Sequence, residues 1–246
     1  MANFKVAHSN LICLDRACEA YFGADFSTAQ KLVKISEGGY TEDPADNGNW
    51  TSGKRGIGKL VGTNMGISAG TLGTYLGREA TKAEMKALPY STALKIYKKN
   101  FWDKIGGDSI KSQSVANTIY DAYVNQTGWT YVMLNDTLRN FGKEETSTRK
   151  VPIKSDTVRS INEVNASKFF NEFNKQRKRR YIEQSKKGAN IKFLGGWMNR
   201  LANVTFDDVT EYAKRNMVAL TLSLVAIAGL VYVGFKYRDK ITKAIF

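Results

Sequence analysis

Histidine is nearly absent from this chain. His8 is the only one in 246 residues, so a Ser-His-Asp or Cys-His catalytic unit has little to be built from. Cysteine is almost as scarce. Cys13 and Cys18 stand five residues apart, on different sides of a helix, which argues against a disulfide framework and reads as two small, partly buried thiols. A zinc site would have to come almost wholly from carboxylates, and neither a metal nor a cofactor is expected. A Walker-type phosphate loop is missing, and Gly56-Ile57-Gly58 fails the G-x-G-x-x-G spacing. Acidic residues are few: 23 Asp and Glu face 37 Lys and Arg, a formal net charge of +14. That surplus favours polyanions (nucleic acid, anionic lipid headgroups or bacterial wall polymers) without choosing among them, so no specific nucleic acid is expected. The opening Met1–Asp25 has no continuous apolar run, being interrupted by His8, Asp15, Arg16 and Glu19, and does not read as a secretion signal.

The acidic residues that exist are concentrated. Glu37, Glu42, Asp43 and Asp46 fall within ten positions of one another. They follow a short amphipathic pattern, Ser27–Ser36, with Ser27 as the expected N-cap, Gln30 three positions on, and Leu32 and Ile35 on one face. Gly38 and Gly39 break that helix, leaving Glu37 at its C-terminal end. The chain beyond is rich in Gly, Asn, Ser and Thr and reads as a long loop. A carboxylate held at a helix end, facing a polar loop that carries a second one, is the arrangement glycoside hydrolysis requires.

The remainder reads as mainly helical. Asn10–Phe22 is expected as a short helix within an N-terminal extension, residues 1–26. Ser68–Gly77 opens another, and Thr81-Lys82-Ala83-Glu84 is a capping box ahead of Met85 and Leu88. Ser91–Phe101 carries Ala93, Ile96 and Tyr97 on one face. Ser112–Gln126 places Val115, Ile119, Ala122 and Tyr123 at helical spacing. Asn135–Ser155 reads as a loop or small hairpin, and Asp156–Lys187 as one or two helices. Lys175–Arg180 is the strongest positive cluster and reads either as a solvated helix face or as a contact for an anionic partner. Met217–Phe235 is a run of nineteen uncharged residues, close to the ~30 Å of a bilayer core at about 1.5 Å per residue, and is expected to be a transmembrane helix. A short basic tail, residues 236–246, follows.

Several blocks carry a resemblance to a known family. E-G-G-Y at Glu37–Tyr40, D-P-A-D at Asp43–Asp46 and G-T-N-M-G-I-S at Gly62–Ser68 resemble the N-acetylmuramidases of glycoside hydrolase family 108, phage endolysins and related bacterial lysozymes. The likeness continues through Tyr97–Lys104, Tyr120–Asn125 and Gly195–Asn203. It implies a lysozyme-like helical domain over residues 27–210, with a long Gly-rich active-site loop. Residues 115–204 correspond to what is often labelled the family's peptidoglycan-binding region. The family's catalytic glutamate corresponds to Glu37 and its threonine to Thr63. Family members join the acidic block to the T-N block directly, whereas here Asn49–Val61 intervenes with its own Thr51, and the Glu37–Asp46–Thr51 spacing is similar to that of other phage lysozymes. Either threonine therefore fits the cleft.

The resemblance implies cleavage of the β-1,4 bond between N-acetylmuramic acid and N-acetylglucosamine in peptidoglycan. Glu37 is expected to be the proton donor, with its pKa raised by apolar neighbours. Asp46 is expected to steady the transition state or position a water, with Asp43 reading as an Asx turn. Tyr40, Trp50 and Asn64 are candidate glycan contacts. Alternatives remain: a lytic transglycosylase on the same bond, or a non-enzymatic, membrane-anchored docking protein of a virion or wall. The expected location is a membrane, anchored by the single C-terminal helix, in a phage virion with possible virion-protein partners or in the host inner membrane.

Overall fold

The computed structural model describes residues 23–36, 38–143 and 153–207. The expected helix at Asn10–Phe22, Glu37, the apolar run Met217–Phe235 and the tail 236–246 lie outside the described residues. Among the described residues, no helix is long and apolar enough to cross a membrane.

The first described helix, α1, is Phe26–Ser36. Its N-terminus is capped by Asp25 rather than by Ser27. The Asp25 carboxylate accepts from Thr28 N and from the Ser27 hydroxyl, both at 2.6 Å. Ser27 thus sits inside the first turn as a donor. Asp25 is also tied to the start of a distant helix, its N–H donating to Gln113 Oε1 at 2.7 Å. The buried face of α1 is Ala29 and Val33, one turn apart, while Leu32 is only half-buried. Gln30 is buried as well and accepts from the Tyr120 hydroxyl.

A loop region follows, and then a series of short helices. α2 is Ala69–Leu76, α3 Lys82–Lys86 and α4 Tyr90–Tyr97. Ser68 caps α2, and Gly77 ends it in the left-handed conformation at φ 70°. Thr81 and Glu84 form the reciprocal capping box at α3. A five-residue π turn, Lys98–Trp102, carries α4 into the core at Trp102, which packs edge-on against Tyr120 at 5.5 Å. Most aromatics of this region are core, as their helical spacing indicates: Tyr97, Trp102, Tyr120 and Tyr123 are buried, whereas Tyr75 and Tyr90 are exposed.

Four further helices and their connections follow among the described residues. α5 is Gln113–Asn140, kinked where Gln126 leaves helical geometry (φ −144°, ψ 60°). The helix expected to end at Gln126 therefore bends there and continues. The residues from Asn135 to Asn140, expected as loop or hairpin, are its last turns, because Tyr131, Leu134 and Leu138 supply a second buried stripe. The kink has local causes. The Gln126 side chain donates to Gln184 Oε1 at 2.7 Å, and the Thr127 hydroxyl bonds back to Tyr123 O at 2.8 Å. α6 is Ser155–Glu163 and α7 is Ala166–Ser185, separated at Val164 and restarted by Asn165, which caps Lys168 N at 3.1 Å. α8 is Leu194–Ala202.

The basic run Lys175–Arg180 is neither one solvated face nor one contact patch. Lys178 and Arg179 are exposed, Arg180 stacks 3.4 Å over the Trp129 ring, and Arg177 is 1% exposed. Burial opposes the Arg177 charge, but Asp121 beside it more than compensates and raises its pKa. Asp121 takes Arg177 Nη2 on one oxygen at 2.5 Å and Arg200 Nε on the other at 2.8 Å. One carboxylate thereby joins α5, α7 and α8. The blocks at Tyr120–Asn125 and Gly195–Asn203 meet at this ion cluster, so the later one is part of the same body.

Candidate active site

The loop region between α1 and α2 is organised by backbone pairing. Among the described residues it forms isolated antiparallel bridges, Thr41–Thr63, Trp50–Leu60 and Asn64–Ile67. Thr41 and Thr63 exchange both N–H···O bonds at 2.8 Å. Asn64 and Ile67 close a two-residue turn in which Met65 (φ 49°) and Gly66 (φ 72°) are both left-handed. That is the hairpin turn whose twist suits flanking strands. Met65 is a strained occupant, steadied by the Tyr97 hydroxyl, which donates to Met65 O at 2.9 Å.

Asp43-Pro44-Ala45-Asp46 forms two small caps. Asp43 Oδ1 accepts from Ala45 N at 2.9 Å, the expected Asx turn. Asp46 Oδ1 accepts from Gly48 N at 2.9 Å and starts a 3-10 turn, Asn47–Asn49. Asp46 is exposed, and Gly48 is where its neighbours converge. A Cβ added at Gly48 would lie 3.4 Å from Asp46 Oδ1 and 3.6 Å from both Thr63 Oγ1 and Ser68 Cβ. Asp46, Thr63 and Ser68 are thus brought together around one glycine.

The two threonines are in different situations. Thr51 Oγ1 accepts from Lys59 N at 3.1 Å and donates to Glu79 at 3.3 Å, bracing the Asn49–Val61 loop. Thr63 Oγ1 is enclosed and has no hydrogen-bond partner among the described residues. An unpaired hydroxyl of this kind costs about 1–3 kcal/mol. The buried Oδ1 of Asn49 is likewise unpaired, although its amide donates to Asp43 O at 2.9 Å.

The three expected glycan contacts are all held in place, in different ways. Tyr40 lies on Gly62, where a Cβ would meet Thr41 O and Tyr40 Cε2 at 2.7 Å and where φ is 96°; only glycine suits both demands. Its hydroxyl donates to Glu42 at 2.7 Å, and its pKa is pushed up to about 12 by burial and then by that hydrogen bond. Glu42 is held below the ordinary carboxylate range by Lys82 and then by Tyr40. Lys86 adds a cation over the Tyr40 ring at 5.1 Å. Trp50 is half-buried, with its indole N–H donating to Pro44 O at 3.0 Å. Asn64 is buried, its amide donating to Met85 O at 2.9 Å; that bond straps the hairpin to α3. Asn49, Ser68 and Lys86 are neighbours that spacing did not single out as site residues, because hydrogen bonds between separated loop segments leave no periodic signal. Glu37 lies outside the described residues, between the end of α1 at Ser36 and Gly38. Among the described residues, no cluster of His, Cys, Asp and Glu could hold a metal ion.

Residues 30–127 match the profile of the family described as Glycosyl hydrolase 108. The chain is a glycoside hydrolase. The glycosyl hydrolase 108 match spans the end of α1, the whole loop region and α5 as far as its kink, so the Asp46–Gly48–Thr63 grouping falls inside it. It supports a peptidoglycan-degrading enzyme of the muramidase type. Among solved structures, Brucella abortus SagA matches at 29% sequence identity, covering 73% of this chain and 90% of that one, with a TM-score of 0.56. That likeness extends the mainly helical, lysozyme-like fold well beyond the glycosyl hydrolase 108 segment. No curated protein matches.

Proposed function

We propose that this chain is an N-acetylmuramidase, cleaving the β-1,4 bond between N-acetylmuramic acid and N-acetylglucosamine in peptidoglycan. The observation carrying this reading is the grouping of Asp46 and Thr63 around Gly48, inside the matched segment, with the Thr63 hydroxyl unpaired among the described residues. Glu37 is the proton donor to the leaving glycosidic oxygen. It stands four residues before Thr41, at most about 14 Å of chain, and Thr41 is paired directly with Thr63. Asp46 steadies the positive charge that develops on the sugar or positions the water that attacks it, and Thr63 supplies a hydroxyl to that water. Thr63 is preferred over Thr51 because Thr51 is already engaged by Glu79 and Lys59. Tyr40 and Trp50 border the glycan, while Asn64 serves it indirectly by holding the hairpin.

A second reading draws on one observation: Asp46 and Asp43 both cap local backbone. A lytic transglycosylase needs only the glutamate, with no positioned water. Mass spectrometry of the fragments released from purified peptidoglycan separates the two. Reducing muramic ends are expected, and 1,6-anhydro ends would replace hydrolysis by transglycosylation.

The enzyme is further proposed to be membrane-anchored through Met217–Phe235, whose length and flanking Lys214, Arg215, Lys236 and Arg238 suit a bilayer span. A phage virion membrane, or the host inner membrane during lysis, is the setting this implies. Release from vesicles by alkaline carbonate would contradict the anchor; retention until detergent is added is the expected result.

A further inference from the structure

The most exposed large apolar side chain among the described residues is Ile191, 64% exposed, on the 3-10 turn Gly188–Phe193 that joins α7 to α8. Phe193, 48% exposed, ends the same turn. Their exposure is imposed by the fold. Gly188 turns the chain in the left-handed conformation at φ 55°, Lys187 N donates to Gln184 O at 3.1 Å, and the Asn190 side-chain amide donates to the same carbonyl at 3.3 Å. The Phe193 ring leans on Trp197 with centroids 5.9 Å apart, and Trp197 stacks on the buried Tyr181 at 5.7 Å. The turn is thus tied to the helical body, and two apolar side chains are held outward together, where burial against a partner would be favourable.

The charge around the turn has one sign. Lys186, Lys187 and Lys192 are exposed, and from Gln184 to Phe206 the sequence contains no Asp or Glu. None of these three lysines makes an ion pair among the described residues, whereas Lys59, Lys82, Lys98 and Lys143 are each matched by a carboxylate. Lys192 instead places its ammonium 5.0 Å from the Phe193 ring centroid. Two outward apolar side chains flanking one lysine, with two more at the base, suit the boundary of an anionic bilayer. Ile191 and Phe193 enter the headgroup layer, the lysine stems lie along it, and their ammonium groups meet lipid phosphates. A soluble polyanion would engage the lysines but gain nothing from Ile191. Chain connectivity agrees. Phe206 and Met217 are joined by at most about 40 Å of chain, and α8, nine residues and about 14 Å long, is the element between the turn and that connection.

We propose that the Gly188–Phe193 turn is a docking surface for the headgroup layer of an anionic lipid bilayer, a membrane contact on the helical body itself. It takes its bilayer from the anchor proposed above, and it holds one end of the body against the membrane surface. The full chain is reconstituted into nanodiscs of phosphatidylglycerol or of phosphatidylcholine, each carrying a lipid spin-labelled near the headgroup, and amide broadening is followed by NMR. The amides of residues 188–193 are expected to broaden more than those of residues 38–143, with the larger excess in phosphatidylglycerol. That excess is expected to be lost in Ile191→Ser with Phe193→Ser, checked for an unchanged thermal melt. Ile191→Ser alone leaves the Phe193–Trp197 packing intact and should already reduce it, while Lys186→Gln with Lys187→Gln should remove the difference between the two lipids. An excess that survives both serine variants would make the turn a lysine contact for any polyanion and overturn the lipid docking. Disc association without excess broadening at the turn would overturn the docking and leave the anchor standing. Excess broadening there, on a chain that alkaline carbonate strips from vesicles, would instead overturn the anchor and leave the docking.

Discussion

The two ends of the matched body are held together by different forces. From Tyr40 to Ile67 the chain is ordered by backbone bridges, side-chain caps and left-handed glycines, and most residues from Thr41 to Lys59 are exposed. From Gln113 to Ala202 it is ordered by buried apolar stripes on long helices and by one carboxylate shared between two arginines. The difference shows where chemistry can be placed. A loop fixed by its own backbone can hold a hydroxyl such as Thr63, without a partner among the described residues, close to an exposed carboxylate such as Asp46. The helical body instead fixes its buried charges by pairing, as Asp121 does with Arg177 and Arg200, and it acts as the rigid support.

The largest expected effect on stability breaks the helical side. Asp121→Ala leaves two guanidinium groups without their shared carboxylate and should cost about 3–5 kcal/mol, measured by urea denaturation. A loss under 1 kcal/mol would mean the cluster is not what joins α5, α7 and α8. On the loop side, Gly62→Ala forces a Cβ into Thr41 O and Tyr40 at φ 96° and should cost about 1–3 kcal/mol. It should also lower activity, because it displaces the Thr41–Thr63 pairing.

The threonine pair sharpens the comparison. Thr63→Val removes a hydroxyl that has no partner among the described residues, so stability should stay level or rise by up to about 1 kcal/mol while peptidoglycan cleavage falls. Thr51→Val breaks two bonds and should lose about 1 kcal/mol, with the smaller effect on cleavage. Reversed activity losses would make Thr51 the residue in the cleft. The smallest effect is at the α3 cap. The Arg78 guanidinium and then Thr81 pull the Glu84 pKa from 4.5 down to about 2. Because the folded value is depressed, the cap contributes fully above about pH 4.5, and its contribution is lost as pH falls toward 2. A carboxyl NMR titration of Glu84 with a midpoint near 4.5 would contradict this.

Local patterns were legible in the sequence and long-range partnerships were not. The capping box at Thr81 and Glu84, the Ser68 and Gly77 limits of α2, and the apolar faces of α4 and early α5 all follow from spacing over one or two turns. Asp25 displaced Ser27 as the cap of α1 because its backbone is also pinned to Gln113, 88 residues away. The turns from Asn135 to Asn140 were hidden by the kink, which shifts the helical phase at Gln126. Arg177 read as one charge in a basic run, since nothing in that run reveals that Asp121 faces it. In the candidate site, E-G-G-Y and T-N-M-G-I mark the segments, but the meeting of Asp46, Thr63 and Ser68 at Gly48 depends on how the bridges fold the loop.

The central claim is that one glutamate, Glu37, next in sequence after α1, drives glycan cleavage. It is tested most directly by comparing the full chain with Glu37→Gln on purified peptidoglycan, counting released reducing ends while confirming equal thermal melts. Loss of the general acid should lower the rate by about 10²–10⁴-fold. An equally folded Glu37→Gln protein that releases reducing ends at the unaltered rate would contradict the account.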